Sequence, residues 1–214
     1  MKRYAKGVLL LVLALACTAS AQTFRPFTIT DLLKVRRVGD PQLSPDGRTI
    51  AYTITDIDMV ANRGIPQIYL VPVAGGEPKL LPSGLRTSSP RWSPDGKRIA
   101  YTSGGQIWTI DVASGETKKI TNLSTGASDP VWSPDGKMIA FVSDVYPDCT
   151  TDDCNKKRDQ QAEESKVKAK TIDRLLYRHW NAWKDNKRTH IFVVSLDNGD
   201  ARDLTPGDYD SPPF

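Results

Sequence analysis

The sequence predicts an all-β fold, an incomplete β-propeller of four-stranded blades, with three blades, the start of a fourth, and a partly helical insertion in the third. Three observations predict it. Nearly the same segment is written three times: QLSPDGRTIAYTI at 42–54, RWSPDGKRIAYTS at 91–103 and VWSPDGKMIAFVS at 131–143. Each copy joins two runs of strand formers through Ser-Pro-Asp-Gly. That order suits a type I turn, with Ser first, Pro presetting φ at the second position and Gly favoured at the fourth. The turn glycines Gly47, Gly96 and Gly136 stand 49 and then 40 residues apart, close to the roughly 40–50-residue period of propeller blades. One such sheet cannot bury both faces alone, so stacking against its neighbours supplies the core.

The chain begins with Lys2, Arg3 and Lys6 ahead of the apolar run Gly7–Ala16, followed by small residues at Ala19 and Ala21. Residues 1–21 therefore read as a secretory signal peptide cut after Ala21. Cys17, in ALAC, offers a lipoprotein site as the alternative. The apolar run is too short to span a bilayer comfortably, so the expectation is an exported protein, periplasmic or extracellular, without stable membrane insertion. Cleavage would remove three of the 29 basic residues and none of the 25 acidic ones, leaving +1 in place of +4. The basicity thus belongs to the export segment, and no nucleic-acid partner is implied.

After the signal comes FTITDLLKVRRVGD (27–40), where Thr30 or Asp31 can cap a short helix over Leu32–Val35. The first blade occupies about 37–83, with later strands in QIYLVPV (67–73) and PKLL (78–81) and a polar connector, Asp56–Pro66. The second, about 86–123, is the most regular, continuing through QIWTID (106–111) and TKKIT (117–121). The third, about 126–206, resumes with HIFVVSL (190–196) and ARDLT (201–205). At the end of the chain DSPPF (210–214) aligns with GDPQL (39–43) and SDPVW (128–132). Phe214 then stands where Leu43 and Trp132 precede their turns. A few blades cannot close a ring that needs about four to eight. The expectation is an N-terminal portion of a longer propeller whose open faces invite association when isolated.

The insertion in the third blade, about 144–189, stands where the second blade uses only a few residues. Alternate connections in an up-and-down sheet emerge on opposite faces. The Ser-Pro-Asp-Gly turns share one face, and Asp56–Pro66 and the insertion share the other, where long connections make a working face. DQQAEESKVKAKTIDRLL (159–176) favours helix, with Glu164–Lys168 a favourable i,i+4 pair, and its plainest reading is a solvated face. Tyr177, Arg178, His179, Trp180 and Trp183 follow, residue types that serve equally to line a ligand or substrate path or to anchor the insertion against the blade. Cys149 and Cys154 in CTTDDC form a disulfide in an oxidising compartment, with free thiols or a metal site as alternatives. No second Cys/His pair supports zinc. Asp144, Asp148, Asp152 and Asp153 lie near one another outside any EF-hand pattern. No metal or cofactor is expected.

Catalytic motifs are lacking. There is no G-x-S-x-G elbow, phosphate loop or dinucleotide fingerprint. His190 opens a strand at a repeat position, which suits a structural role. Taken together, TDLLKVRRVGDPQLSPDGRTIAYT, the repeated W-S-P-D-G and SKVKAKTIDRLLYRHWNAWKDNKRTHIFVV resemble the prolyl oligopeptidase family of serine peptidases. Within it, the similarity is to the acylaminoacyl-peptidase and dipeptidyl-peptidase-5-like branch. The resemblance implies a propeller that filters peptides for a C-terminal α/β-hydrolase domain carrying Ser, Asp and His. That domain is absent from these residues, so no catalytic residue is assigned and the chain is expected to be inactive alone. Some members hold a peptide's amino terminus with a Glu pair. Glu163-Glu164 lacks the aromatic flanks of that motif, so Arg178, His179, Trp180 and Trp183 stand as the substrate-binding candidates. The alternative is a non-enzymatic Tol-like propeller that binds a protein or envelope partner.

Overall fold

The computed structural model describes residues 25–84, 86–167, 169–170, 172, 175, 177–183 and 186–211. The signal-peptide and lipoprotein readings, Lys168 of the expected helical pair, and Phe214 lie outside them. Two units are present, one ending at Val35 and one starting at Arg36. In the first, helix α1 (Ile29–Lys34) is capped by Thr28. The Thr28 Oγ1 accepts from the Asp31 amide, and the Asp31 carboxylate accepts from the Thr28 amide at 2.9 Å. This reciprocal arrangement satisfies donors that a helix start otherwise leaves open. The cap precedes the expected Thr30 or Asp31 because Thr28, unlike either, has an acidic residue three positions on. The Arg25 guanidinium, with Thr28, holds the Asp31 carboxyl well below the usual carboxylate range.

Among the described residues, the second unit holds three four-stranded antiparallel sheets, a helix and a small hairpin. The first sheet is β1 (Arg37–Leu43), β2 (Thr49–Asp58), β3 (Arg63–Pro72) and β4 (Lys79–Leu80). The second is β5 (Thr87–Trp92), β6 (Arg98–Ser103), β7 (Gln106–Asp111) and β8 (Thr117–Lys119). The third begins with β9 (Ser128–Trp132) and β10 (Met138–Val145). The chain then leaves it for helix α2 (Asp152–Glu164) and the hairpin β11 (Arg178–His179) and β12 (Ala182–Trp183). It returns as β13 (Arg188–Ser195) and β14 (Ala201–Asp203). Each four-stranded sheet runs in chain order from one edge to the other.

Turn chemistry explains the triplicated text. In every copy the Ser hydroxyl donates to the Asp carboxylate two residues on, at 2.6, 2.5 and 2.6 Å. The same hydroxyl accepts from the amide that opens the next strand, Thr49, Arg98 or Met138, at 2.9 Å. Those bonds from Ser hold the carboxyls of Asp46, Asp95 and Asp135 below their ordinary range. Gly47, Gly96 and Gly136 adopt φ of +70°, +68° and +68°, a left-handed conformation that costs other residues about 1–2 kcal/mol.

The sheets stack face to face. Successive strand residues point to opposite faces, so Ile99 and Tyr101 face the first sheet while Ala100 faces the third. Ala51, Ile68 and Leu81 meet Ile99, Tyr101 and Ile110 between sheets one and two. Ala100, Ile107 and Ala127 meet Ile139, Phe141 and Val194 between sheets two and three. The first strand of each later sheet lies against the sheet before it, β5 on β1–β3 and β9 on β5–β7. Two indoles stitch these junctions. Trp92 Nε1 donates to the Gln42 carbonyl at 3.1 Å, and Trp132 Nε1 to the Arg91 carbonyl at 3.0 Å. These are consecutive blades of an unclosed propeller. The far face of the first leaves Val38, Leu43 and Leu80 exposed, and that of the third leaves Val131 and Met138 exposed.

Three local expectations change. The first-blade connector Asp56–Pro66 is a β-ribbon, paired down to Asp58–Arg63, because Ile57, Ile65 and the flanking residues continue the ladder. Strands β10 and β13 run on to pair Val145 with Arg188. The insertion helix starts and ends earlier than the expected 159–176. Thr151 caps it, its side chain accepting from the Cys154 amide, and Asp152 and Asp153 complement the helix dipole in the first turn.

Candidate functional site

The face bearing the β2–β3 and β10–β13 connections carries the candidate residues. The β2–β3 ribbon presents Met59 and Val60 at its tip, the latter 99% exposed. In the third blade, the chain leaving β10 enters helix α2 through Cys149 and Cys154, which are joined as a disulfide with Cα atoms 5.5 Å apart. Tyr146 is the centre of the fastening. Its amide donates to Asn155 Oδ1 at 2.8 Å and its hydroxyl to Asp159 at 3.2 Å. The Arg158 guanidinium and the Lys187 ammonium lie 5.1 and 5.3 Å from its ring centroid, within the range of cation–π attraction. Both cations also pair with carboxylates, Arg158 with Asp148 and Lys187 with Asp159.

The hairpin β11–β12 pairs Arg178 with Trp183 and His179 with Ala182. Tyr177 stacks on Trp183 at 5.9 Å between ring centroids, and the Lys170 ammonium stands 5.4 Å from the Trp183 centroid. Trp180 occupies the turn at φ +50° and is 86% exposed, an uncommon conformation for a bulky residue. Leu175, Tyr177, Arg178 and Trp183 are also exposed. Tyr177, Arg178, Trp180 and Trp183 are thus brought together on one short hairpin presenting aromatic surface and a cation. The His179 side chain lies outside the described residues. Glu163 and Glu164 occupy the last turn of α2, where no basic residue complements the helix dipole.

Of the other singled-out residues, Asp144, Asp148, Asp152 and His190 have specific partners. Asp144 accepts from the Thr189 hydroxyl at 2.6 Å, Asp148 from Arg158, and Asp152 from the Ser124 amide and hydroxyl at 2.8 Å. These carboxylates therefore serve separate protein contacts. Buried His190 places Nδ1 2.7 Å from Asp203 and Nε2 2.9 Å from the Gly207 carbonyl, tying β13 to β14 and the segment beyond it.

One set escapes the sequence reading. Asp40, Ser89 and Asp129 precede Pro41, Pro90 and Pro130, and adopt φ of +48°, +53° and +53°. At each, the first strand of the blade breaks register against the second. The bulges carry side-chain contacts between blades: Arg91 Nη1 pairs with Asp40 at 2.8 Å, and Ser89 Oγ donates to Asp129 at 3.4 Å. The available signal was the Asp/Ser-Pro dipeptide repeated on the first strand of every blade.

Stacked, contiguous four-stranded sheets define a β-propeller module. The TolB beta propeller domain model matches residues 24–214, and the chain belongs to that family. It is related to peptidase propellers. It is 30% identical over 177 residues to dipeptidyl-peptidase 5 of Porphyromonas endodontalis, covering 77% of this chain and 24% of that protein. The acylaminoacyl peptidase of Pyrococcus horikoshii superposes with a TM-score of 0.62 at 19% identity, over 83% of this chain and 26% of that one. The isopeptidase AtxE2 superposes with a TM-score of 0.56 at 17% identity, over 85% and 32%. The chain therefore spans about a quarter of the length of the first two relatives. No helix among the described residues is long and apolar enough to cross a membrane.

Proposed function

We propose that this chain is the propeller portion of an exported serine peptidase, gating and helping to bind short peptides for an α/β-hydrolase domain of the same polypeptide. The observation that carries this reading is the 30% identity to dipeptidyl-peptidase 5 across most of the chain. The exposed hairpin supports it. Trp180 and Trp183 offer stacking surfaces for apolar peptide side chains, Arg178 offers a partner for a peptide carboxylate, and His179 shares their turn. Additional blades would cover the far faces of the first and third sheets. The cysteine pair suits an oxidising compartment outside the cytoplasm.

The test is made on the complete reading frame. A G-x-S-x-G followed by Asp and then His beyond residue 214, with labelling by a serine-directed fluorophosphonate, supports the proposal. In that protein, Arg178→Ala and Trp180→Ala should raise KM for short peptides with little change in kcat, the pattern of lost ground-state binding. The second reading, a non-enzymatic propeller that binds a protein or envelope partner, is favoured by the family match itself. A reading frame that stops once the ring closes, with no labelling, supports it and overturns the first.

A further inference from the structure

We propose that the Cys149–Cys154 disulfide is a thiol–disulfide exchange site, and that its reduction by a dithiol releases helix α2 from the third blade. The inference concerns the insertion alone and is independent of the peptide reading.

Among the described residues, helix α2 buries no hydrophobic side chain. Its one buried residue is Asn155, which is polar. A helix that is polar all round has no face to hold it, and one of thirteen residues falls in the range, about 12–15, below which isolated helices are marginal in water. Its last turn carries Glu163 and Glu164 without a basic residue, the wrong sign for that end of the dipole. The contacts that fix the helix are polar and begin at its cap; farther along, Asp159 pairs with Lys187 and accepts from the Tyr146 hydroxyl. Asn155 accepts from the Tyr146 amide and donates to the Thr151 carbonyl. Asp152 accepts from Ser124 in the linker between the second and third blades. Arg158 pairs with Asp148.

The disulfide encloses this same region. Cys149 stands before the capping Thr151, and Cys154 lies in the first turn with its amide on the Thr151 hydroxyl at 3.3 Å. The covalent loop therefore contains the cap and closes the segment just before the helix onto its first turn. Both cysteines are partly solvent-exposed, which gives a reductant access. Exchange proceeds by attack of one thiolate of the dithiol on either sulfur, expelling the other cysteine as a thiolate. The second thiol of the reductant then resolves the mixed disulfide. The protein gains two electrons and two protons and ends with two thiols, while the dithiol ends as its own disulfide. Opening the loop frees the cap region, and the polar contacts that depend on its geometry loosen together.

Hydrogen exchange read by mass spectrometry on the full-length polypeptide, with and without dithiothreitol, tests this. Amides of residues 152–164 should exchange at least tenfold faster when reduced, while those of β6, β7 and β10 stay within twofold. A Cys149→Ser/Cys154→Ser variant should show the fast pattern in both conditions. Exchange at 152–164 unchanged by reduction overturns the proposal. So does acceleration shared equally by the three strands, which would make the bond a staple of the whole blade. The wild-type comparison decides the matter without the variant.

Discussion

Replacing Ile139 with Ala tests the stacking of the second and third blades. Ile139 is fully buried on the face of β10 that meets Ala100, Ile107 and Ala127. The change removes three carbons, worth roughly 2–2.5 kcal/mol at about 0.8 kcal/mol per buried CH₂. The neighbours come from two different sheets and cannot easily collapse into the space, so a residual cavity adds to this and brings the loss to about 3–4 kcal/mol. Val60→Ala is the control, because Val60 is 99% exposed at the ribbon tip and such surface changes stay within about 0.5 kcal/mol. Urea unfolding of the full-length protein, followed by tryptophan fluorescence, reads both. The Ile139→Ala midpoint should fall by about 1 M or more, and the Val60→Ala midpoint should barely move. Equal effects, or a loss below about 1 kcal/mol for Ile139→Ala, would refute burial of this face between sheets.

Three further outcomes are expected. Trp132→Phe keeps most of the ring area but loses the indole's bond to the Arg91 carbonyl, and should cost about 0.5–1.5 kcal/mol in the same assay. Gly136→Ala should cost about 1–2 kcal/mol from its left-handed backbone, since the added Cβ meets Pro94 Cδ at an ordinary 3.8 Å. The folded-state carboxyls of Asp46, Asp95 and Asp135 titrate below their unfolded values because the Ser hydroxyls donate to them. Their stabilisation is present above the unfolded Asp value, about 3.9, and is lost as pH falls through the folded ones. Circular dichroism at stepped pH should show the Asp46→Asn/Asp95→Asn/Asp135→Asn variant losing less stability between pH 5 and pH 2 than the wild type.

The blades were legible because their decisive signals are local. Ser-Pro-Asp-Gly encodes its own hydrogen bonds, and Ile-Ala-Tyr or Ile-Ala-Phe after it assigns each strand's two faces. The junctions were not legible in the same way. The bond from Trp132 to the Arg91 carbonyl joins residues 41 positions apart, and no local pattern announces it. The bulges at Asp40, Ser89 and Asp129 depend on a left-handed φ that residue type only hints at. Helix α2 has no apolar stripe, so the sequence suggested its existence but not its start, which the Thr151 cap sets. The hairpin strands Arg178–His179 and Ala182–Trp183 are two residues each, too short for any alternation. The candidate residues were therefore found by chemistry, and their shared turn emerged only in the fold.

The claim beneath all of this is that the three repeats are adjacent wedges of one radial stack. A cryo-EM or crystal structure of the full-length polypeptide tests it most directly. The account predicts the indoles of Trp92 and Trp132 bonded to the carbonyls of Gln42 and Arg91, with further blades covering Val38 and Leu80 on one side and Met138 on the other. Repeats folded into separate units, or far faces left open in the complete protein, would contradict it.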